Sequence, residues 1–122
     1  MAKKILIVDD DDDCRRIVSF FLLRAGYVVL EAKNAVEAHN MANKEKPDLI
    51  LMDIKLPEVN GLEAMCALKE DSLTEHIKIV ALTGYTMEKD REKILAAGCD
   101  GYIPKPIVNY EDFIGTIASY VT

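Results

Sequence analysis

Several residues able to do chemistry stand directly behind short apolar runs. Asp9 and Asp10 follow Ile5–Val8, Asp53 follows Leu49–Met52, Thr83 follows Ile79–Leu82, and Lys105 comes after Tyr102–Pro104. Carboxylates packed together repel: two unit charges 4 Å apart cost about 4 kcal/mol at an effective dielectric near 20. Three acids in one site therefore need raised pKa values or cations. Lys105 supplies one positive charge, and a divalent ion is the natural second. Oxygen-only ligands with no adjacent His or Cys favour Mg2+ over zinc, with Mn2+ an acceptable substitute. A carboxylate beside such a metal and an ammonium is placed for phosphoryl transfer. The cations neutralise phosphoryl oxygens, and the carboxylate attacks phosphorus to give an acyl phosphate. The Thr83 hydroxyl can donate to a phosphoryl oxygen. Taken singly these signals are weak. A strand-ending threonine is ordinarily a good strand former, and the run Asp11–Asp13 reads as a solvated helix start whose negative charge suits the helix dipole. Joint placement at strand ends is what gives them weight.

Short uninterrupted apolar runs suit strands buried on both faces of a parallel sheet, and sites form at the carboxyl ends of such strands. The intervening segments carry helical spacing. A first helix should start near Asp12 or Asp13 as N-cap. It places Cys14, Ile17, Val18, Phe21, Leu22 and Ala25 inward, and Gly26 stops it. Val28–Leu30 reads as the second strand. Asn34 can cap a helix with Ala35, Ala38, Met41 and Ala42 on its inner face, and Pro47 precedes the third strand. Pro57 and the Asn60–Gly61 pair mark a loop. The helix after it buries Leu62, Met65 and Leu68. Thr86 can cap a further helix that runs to Ala97 and closes at Gly98. Gly101–Ile103 forms a short fifth strand. Asn109 and Asp112 resemble a capping box for a last helix with Phe113, Ile114, Ile117 and Val121 as its apolar positions.

A strand–helix unit repeated five times predicts an α/β, doubly wound, five-stranded parallel sheet with helices on both faces: a flavodoxin-like three-layer sandwich. Strand order 2-1-3-4-5 puts the switch point between strands one and three and brings Asp9 and Asp10 beside Asp53. Periodicity alone does not select that order; the convergence of acids does.

The 122 residues fit one domain, residues 1–122, with no output domain following. Half the residues are apolar and 30% charged, an ordinary globular balance. The net charge of -6 weighs against direct nucleic-acid binding and against anchoring on anionic lipid. No apolar stretch reaches the roughly 18 residues of a membrane span, and the first apolar run is too short for a signal peptide. A cytoplasmic protein is expected. Cys14, Cys66 and Cys99 show neither metal nor redox spacing and read as buried free thiols. His39 and His76 stand alone and read as surface residues, and Tyr110 and Tyr120 as packing residues. Phe20 falls beside the inner stripe of the first helix, either partly buried there or facing a partner.

Asp9 and Asp10 behind strand one, Leu51–Asp53 with Leu56, Pro57 and Gly61 following, Ala81–Thr83, and Lys105 with Pro106 together resemble the receiver domain of two-component response regulators. The resemblance covers essentially the whole chain. The segment Ala97–Ile103 is similar to stand-alone receivers and to those attached to hybrid histidine kinases. It implies that Asp53 accepts phosphate from a phosphohistidine on a sensor histidine kinase or histidine phosphotransfer protein. Asp10 and Asp53 would hold Mg2+, with Asp9 shaping the metal shell and the Lys55 backbone carbonyl as a further ligand. Thr83 and Lys105 would contact the phosphoryl group, and Tyr102 matches the aromatic switch position. The bond from Lys105 to Pro106 is often cis in this family, which proline permits. Phosphorylation adds charge and acceptors. Thr83 would turn towards them, Tyr102 would move inward, and the surface of helix four, strand five and helix five would change for a downstream protein. The first helix often meets the histidine donor.

The departures matter. Gly84 leaves room for Tyr102 to move, and Asn60 replaces an aspartate common in that loop. Lys55 and Tyr85 occupy positions that tune phosphate loss, Tyr85 by partly blocking the attacking water. A binding module that assists its own phosphorylation, monomeric or weakly dimeric, is thus the leading reading, rather than an enzyme. Two others stand beside it. A metal-dependent phosphohydrolase with an Asp53 nucleophile would need a cap or substrate pocket that this length barely allows. A flavodoxin-like cofactor binder would need a phosphate-cradling loop after strand one, where this chain has aspartates.

Overall fold

The apolar runs pair into one parallel sheet of order β2-β1-β3-β4-β5, as the convergence of acids requires. The computed structural model describes residues 2–54, 61–84, 92, 94–105 and 107–121. Its strands are β1 (Lys4–Val8), β2 (Val28–Ala32), β3 (Leu49–Asp53), β4 (Lys78–Thr83) and β5 (Gly101–Pro104). The helices are α1 (Asp12–Arg24), α2 (Ala35–Glu45), α3 (Gly61–Glu70), α4, described at 92 and 94–96, and α5 (Tyr110–Val121). Expectations about Lys55, Asn60, Tyr85, Thr86 and Pro106 lie outside the described residues.

Alternation along each strand divides the core into two layers. Ile5, Ile7, Leu49, Leu51, Val80, Leu82 and Ile103 pack with Val18 and Leu22 of α1 and Phe113 and Ile117 of α5. Leu6, Val8, Ile50, Met52, Ile79 and Ala81 pack on the other side with α2, α3 and Ile94 of α4. The inner strands are buried along nearly their whole length because helices cover both faces. The edge strand β2 is buried only at Ala32.

Local capping sets the helix ends. Asp11, rather than Asp12 or Asp13, is the N-cap of α1, accepting from the Asp13 and Cys14 amides. Asp12 and Asp13 lie in the first turn, where they meet the helix dipole. Asn34 caps α2 through the Glu37 amide, and Lys46 ends it in the left-handed region at φ 51°. The Asn109 side chain accepts from the Asp112 amide at the start of α5. Gly98 closes α4 at φ 98°, its amide donating to the Leu95 carbonyl.

Several expectations need correction. Ile17 is exposed, and the buried positions of α1 are Arg15, Val18, Ser19 and Leu22. Arg15 turns inward on α1 and reaches the Asp9 carbonyl just beyond β1 and Glu31 on β2. Phe20 is 60% exposed and faces solvent with Ile17 and Leu23. The three cysteines are free, but only Cys99 is buried; Cys66 is exposed and Cys14 half-buried. His39 is not alone: its Nε2 lies 2.8 Å from the Asp71 carboxylate, joining α2 to the segment after α3. Tyr110 meets Phe21 edge to face and lies under the Arg24 guanidinium, and Tyr120 packs on the α1/α5 layer, so both tyrosines are packing residues. Among the described residues, no helix is long and apolar enough to cross a membrane.

Candidate functional site

Register and pleat bring the chemistry together. Val8 pairs with Met52, so Asp9 and Asp53 stand level, one step beyond. Asp9 continues the alternation of Ile5 and Ile7, Asp53 that of Leu49 and Leu51, and Lys105 that of Ile103. All three therefore leave the sheet on the side of α1 and α5. The Lys105 amide donates to the Thr83 carbonyl at 2.7 Å, which holds the start of that loop against β4. The Lys105 ammonium then donates to Asp9 Oδ2 at 2.9 Å and to Asp53 Oδ2 at 3.2 Å.

Asp9 and Asp53 are buried and Asp10 is exposed, and each offers a carboxylate oxygen within 4.8 Å of the other two. Burial pushes the Asp9 carboxyl up, but the Asp11 amide and the Lys105 ammonium outweigh it and hold the group below its ordinary value. For Lys105, burial works against the charged form; hydrogen bonding to Asp9 and the fields of Asp53 and Asp9 prevail and push its pKa up. Asp9 and Lys105 therefore form an ion pair at neutral pH, and Asp53 accepts from the same ammonium. Among the described residues one ammonium faces three carboxylates, and the donors are all hard oxygens. This set fits Mg2+ and suits neither zinc nor copper. Cys14 borders the cluster, its thiol pushed up to about 11 by burial and by Asp9, so it is protonated at neutral pH in the metal-free protein.

Thr83 ends β4, buried, and its neighbour Leu82 pairs with Asp53. Tyr102 pairs with Ala81 and packs, partly buried, against the layer containing Ile94 and Cys99. Thr83 thus sits at the same sheet edge as the acids, while Tyr102 lies further down β5 towards α4. Gly61 brings the start of α3 against β3; a Cβ there would run into the Asp53 carbonyl and the Ile54 Cα.

Sequence reasoning missed Arg15. Its buried guanidinium bonds the Asp9 carbonyl at 2.9 Å, Glu31 at 3.0 Å, and Asp12. An arginine one turn into an amphipathic helix reads as a surface residue. The signal that could have found it is its spacing with Val18, Ser19 and Leu22.

Known proteins carry the same architecture. The family model of the response regulator receiver domain matches residues 5–117. The polar-differentiation response regulator DivK of Brucella anthropi is 41% identical over 121 residues, covering 99% of this chain and 98% of that protein. The chemotaxis protein CheY4 of Vibrio cholerae superposes with a TM-score of 0.92 at 32% identity, covering all of both chains. The receiver domain of a Pseudomonas aeruginosa sensor histidine kinase, with a magnesium ion coordinated in its active-site cleft, superposes with a TM-score of 0.90 at 26% identity, covering 99% of this chain and 98% of that one. The sheet order, the acid cluster and these matches agree: the chain belongs to the response regulator receiver domain family, the phosphorylation-controlled signalling receivers of two-component systems.

Proposed function

We propose that Asp53 is the phosphoryl acceptor, taking the group from a phosphohistidine on a histidine kinase or phosphotransfer protein. The observation that carries this reading is the single Lys105 ammonium shared between buried Asp9 and Asp53. An Asp53 carboxylate oxygen attacks phosphorus, the phosphorus–nitrogen bond breaks, and the electron pair leaves with the imidazole. Asp9, Asp10 and Asp53, with the Lys55 carbonyl as a further ligand, would hold Mg2+, and Mn2+ could replace it. The bound metal supplies charge neutralisation at the phosphoryl oxygens. Lys105 keeps the carboxylates in place and then pairs with the incoming group. Thr83 donates its hydroxyl to a phosphoryl oxygen.

The same centre assists hydrolysis of the acyl phosphate, and Tyr85 slows it by shielding the phosphorus from water, while Lys55 adds charge nearby. Loss of the label from Tyr85→Ala should be faster than from the native protein. Thr83 and Tyr102 relay the modification to the α4–β5–α5 surface, where a downstream protein binds. That relay is a shift between two packings, its extent set by their starting ratio.

Incubation with acetyl phosphate and Mg2+, followed by intact mass and mapping of the labile adduct, tests the assignment. One phosphoryl group on Asp53, lost in Asp53→Ala, is the expected result. Undiminished labelling of Asp53→Ala would sink it.

A further inference from the structure

We infer that Arg15 is a positioning residue for the cation site, orienting the Asp9–Asp10 backbone from behind. The inference rests on the proposed metal site and concerns a residue outside it. Arg15 is only 8% exposed although it lies on a surface helix. Its three nitrogens bond three separate stretches of chain: Nη1 the Asp9 carbonyl beyond β1, Nε Glu31 on β2, and Nη2 Asp12 at the start of α1. The Asp9 amide in turn donates to the Ala32 carbonyl at 3.1 Å, and Asp9 Oδ1 accepts from the Asp11 amide at 2.9 Å. Both flanks of the Asp9 peptide are thereby held, and with them the direction in which Asp10 leaves the chain. A planar, five-donor guanidinium can serve three acceptors at fixed angles; a lysine ammonium on a flexible stem cannot hold that geometry.

Charge alone argues for the opposite effect. A cation beside a divalent-metal site repels the metal, so deleting Arg15 should tighten metal binding if its field is all that matters. Loss of orientation should weaken it, because outer-shell partners of metal ligands typically contribute about 10–100-fold to affinity. The sign of the change separates the two roles.

The experiment is Mn2+ titration, read by electron paramagnetic resonance, of the native chain, Arg15→Met and Arg15→Lys, at a temperature where circular dichroism shows each folded. Arg15→Met should bind Mn2+ about tenfold or more weakly. Arg15→Lys, which keeps the charge, should also bind more weakly, by a smaller factor. In the metal-free protein the Asp11 amide should exchange faster in both variants. Affinity equal to or tighter than native, with unchanged Asp11 exchange, overturns the inference. If Arg15→Met does not fold, Arg15→Lys decides alone, and binding within about twofold of native overturns the role. Absence of Mn2+ binding by the native chain would instead overturn the proposed metal site, and this inference with it.

Discussion

Lys105 and Asp53, 52 positions apart in the chain, meet with Nζ 3.2 Å from the carboxylate, and the contact is shielded from water on the Asp53 side. The same ammonium is the only side-chain cation bonded to the carboxylate of fully buried Asp9 among the described residues. Two buried carboxylates thus share one lysine.

Lys105→Met should therefore lower stability in the absence of metal, by up to about 3–5 kcal/mol, since it removes the cation that buried Asp9 and Asp53 share. Mg2+ should recover more stability in the variant than in the native chain, because binding to the folded state stabilises it by mass action. Urea unfolding with and without Mg2+ measures both. Equal midpoints for native and variant without metal would show that the lysine does not hold the acids together.

Gly61→Ala is expected to destabilise the fold by about 1–3 kcal/mol, the range of overpacking at a close approach. The added methyl meets the Asp53 carbonyl and the Ile54 backbone, neither of which can swing aside. Labelling by acetyl phosphate should slow in the folded variant, because the displaced peptide carries Asp53. Thermal melts and the labelling rate check this together.

Gly101→Ala places a methyl on the Tyr120 ring and hydroxyl. That obstacle is the far end of a side chain, so the strain has an escape that Gly61 lacks. In a double-mutant cycle, Tyr120→Ala should cancel most of the loss caused by Gly101→Ala, a coupling of about 0.5–3 kcal/mol. Additive losses would mean that the two residues do not share this space.

Asp71 sets part of the acid limb. Its carboxyl lies below the ordinary value of 3.8, chiefly through the bond to His39 and then through the Leu73 amide. A group depressed on folding contributes stability that is present above its unfolded pKa and lost as pH falls through its folded one. Asp71→Asn should be less stable than native at neutral pH, and its stability should fall less between about pH 4 and pH 2. Urea midpoints across that range would contradict this if the two curves ran parallel.

Much of this protein was legible before folding. The apolar runs gave the strands, because burial on both faces leaves no polar alternation to disguise them. Asn34 and Asn109 were readable as caps because capping is a local bond across three residues. In the five-aspartate run the identical side chains offered no such distinction, and only backbone geometry selected Asp11 over Asp12 and Asp13. The chemical types at the strand ends pointed to phosphoryl transfer with a hard cation. They did so through residue type and a shared position behind apolar runs, both of which are readable before the strands pair.

Tertiary structure decided what depends on partners distant in sequence. Arg15 lies on the inward face of α1 beside Val18 and Leu22, and its acceptors sit just beyond β1, on β2 and at the helix start. His39 became a clamp only when Asp71 arrived beside it. The strand order, and with it the meeting of Asp9, Asp53 and Lys105, is a choice among pairings that local periodicity leaves equivalent. Residue types along one strand carry its burial but not its neighbours; those are selected by the packing of the whole sheet.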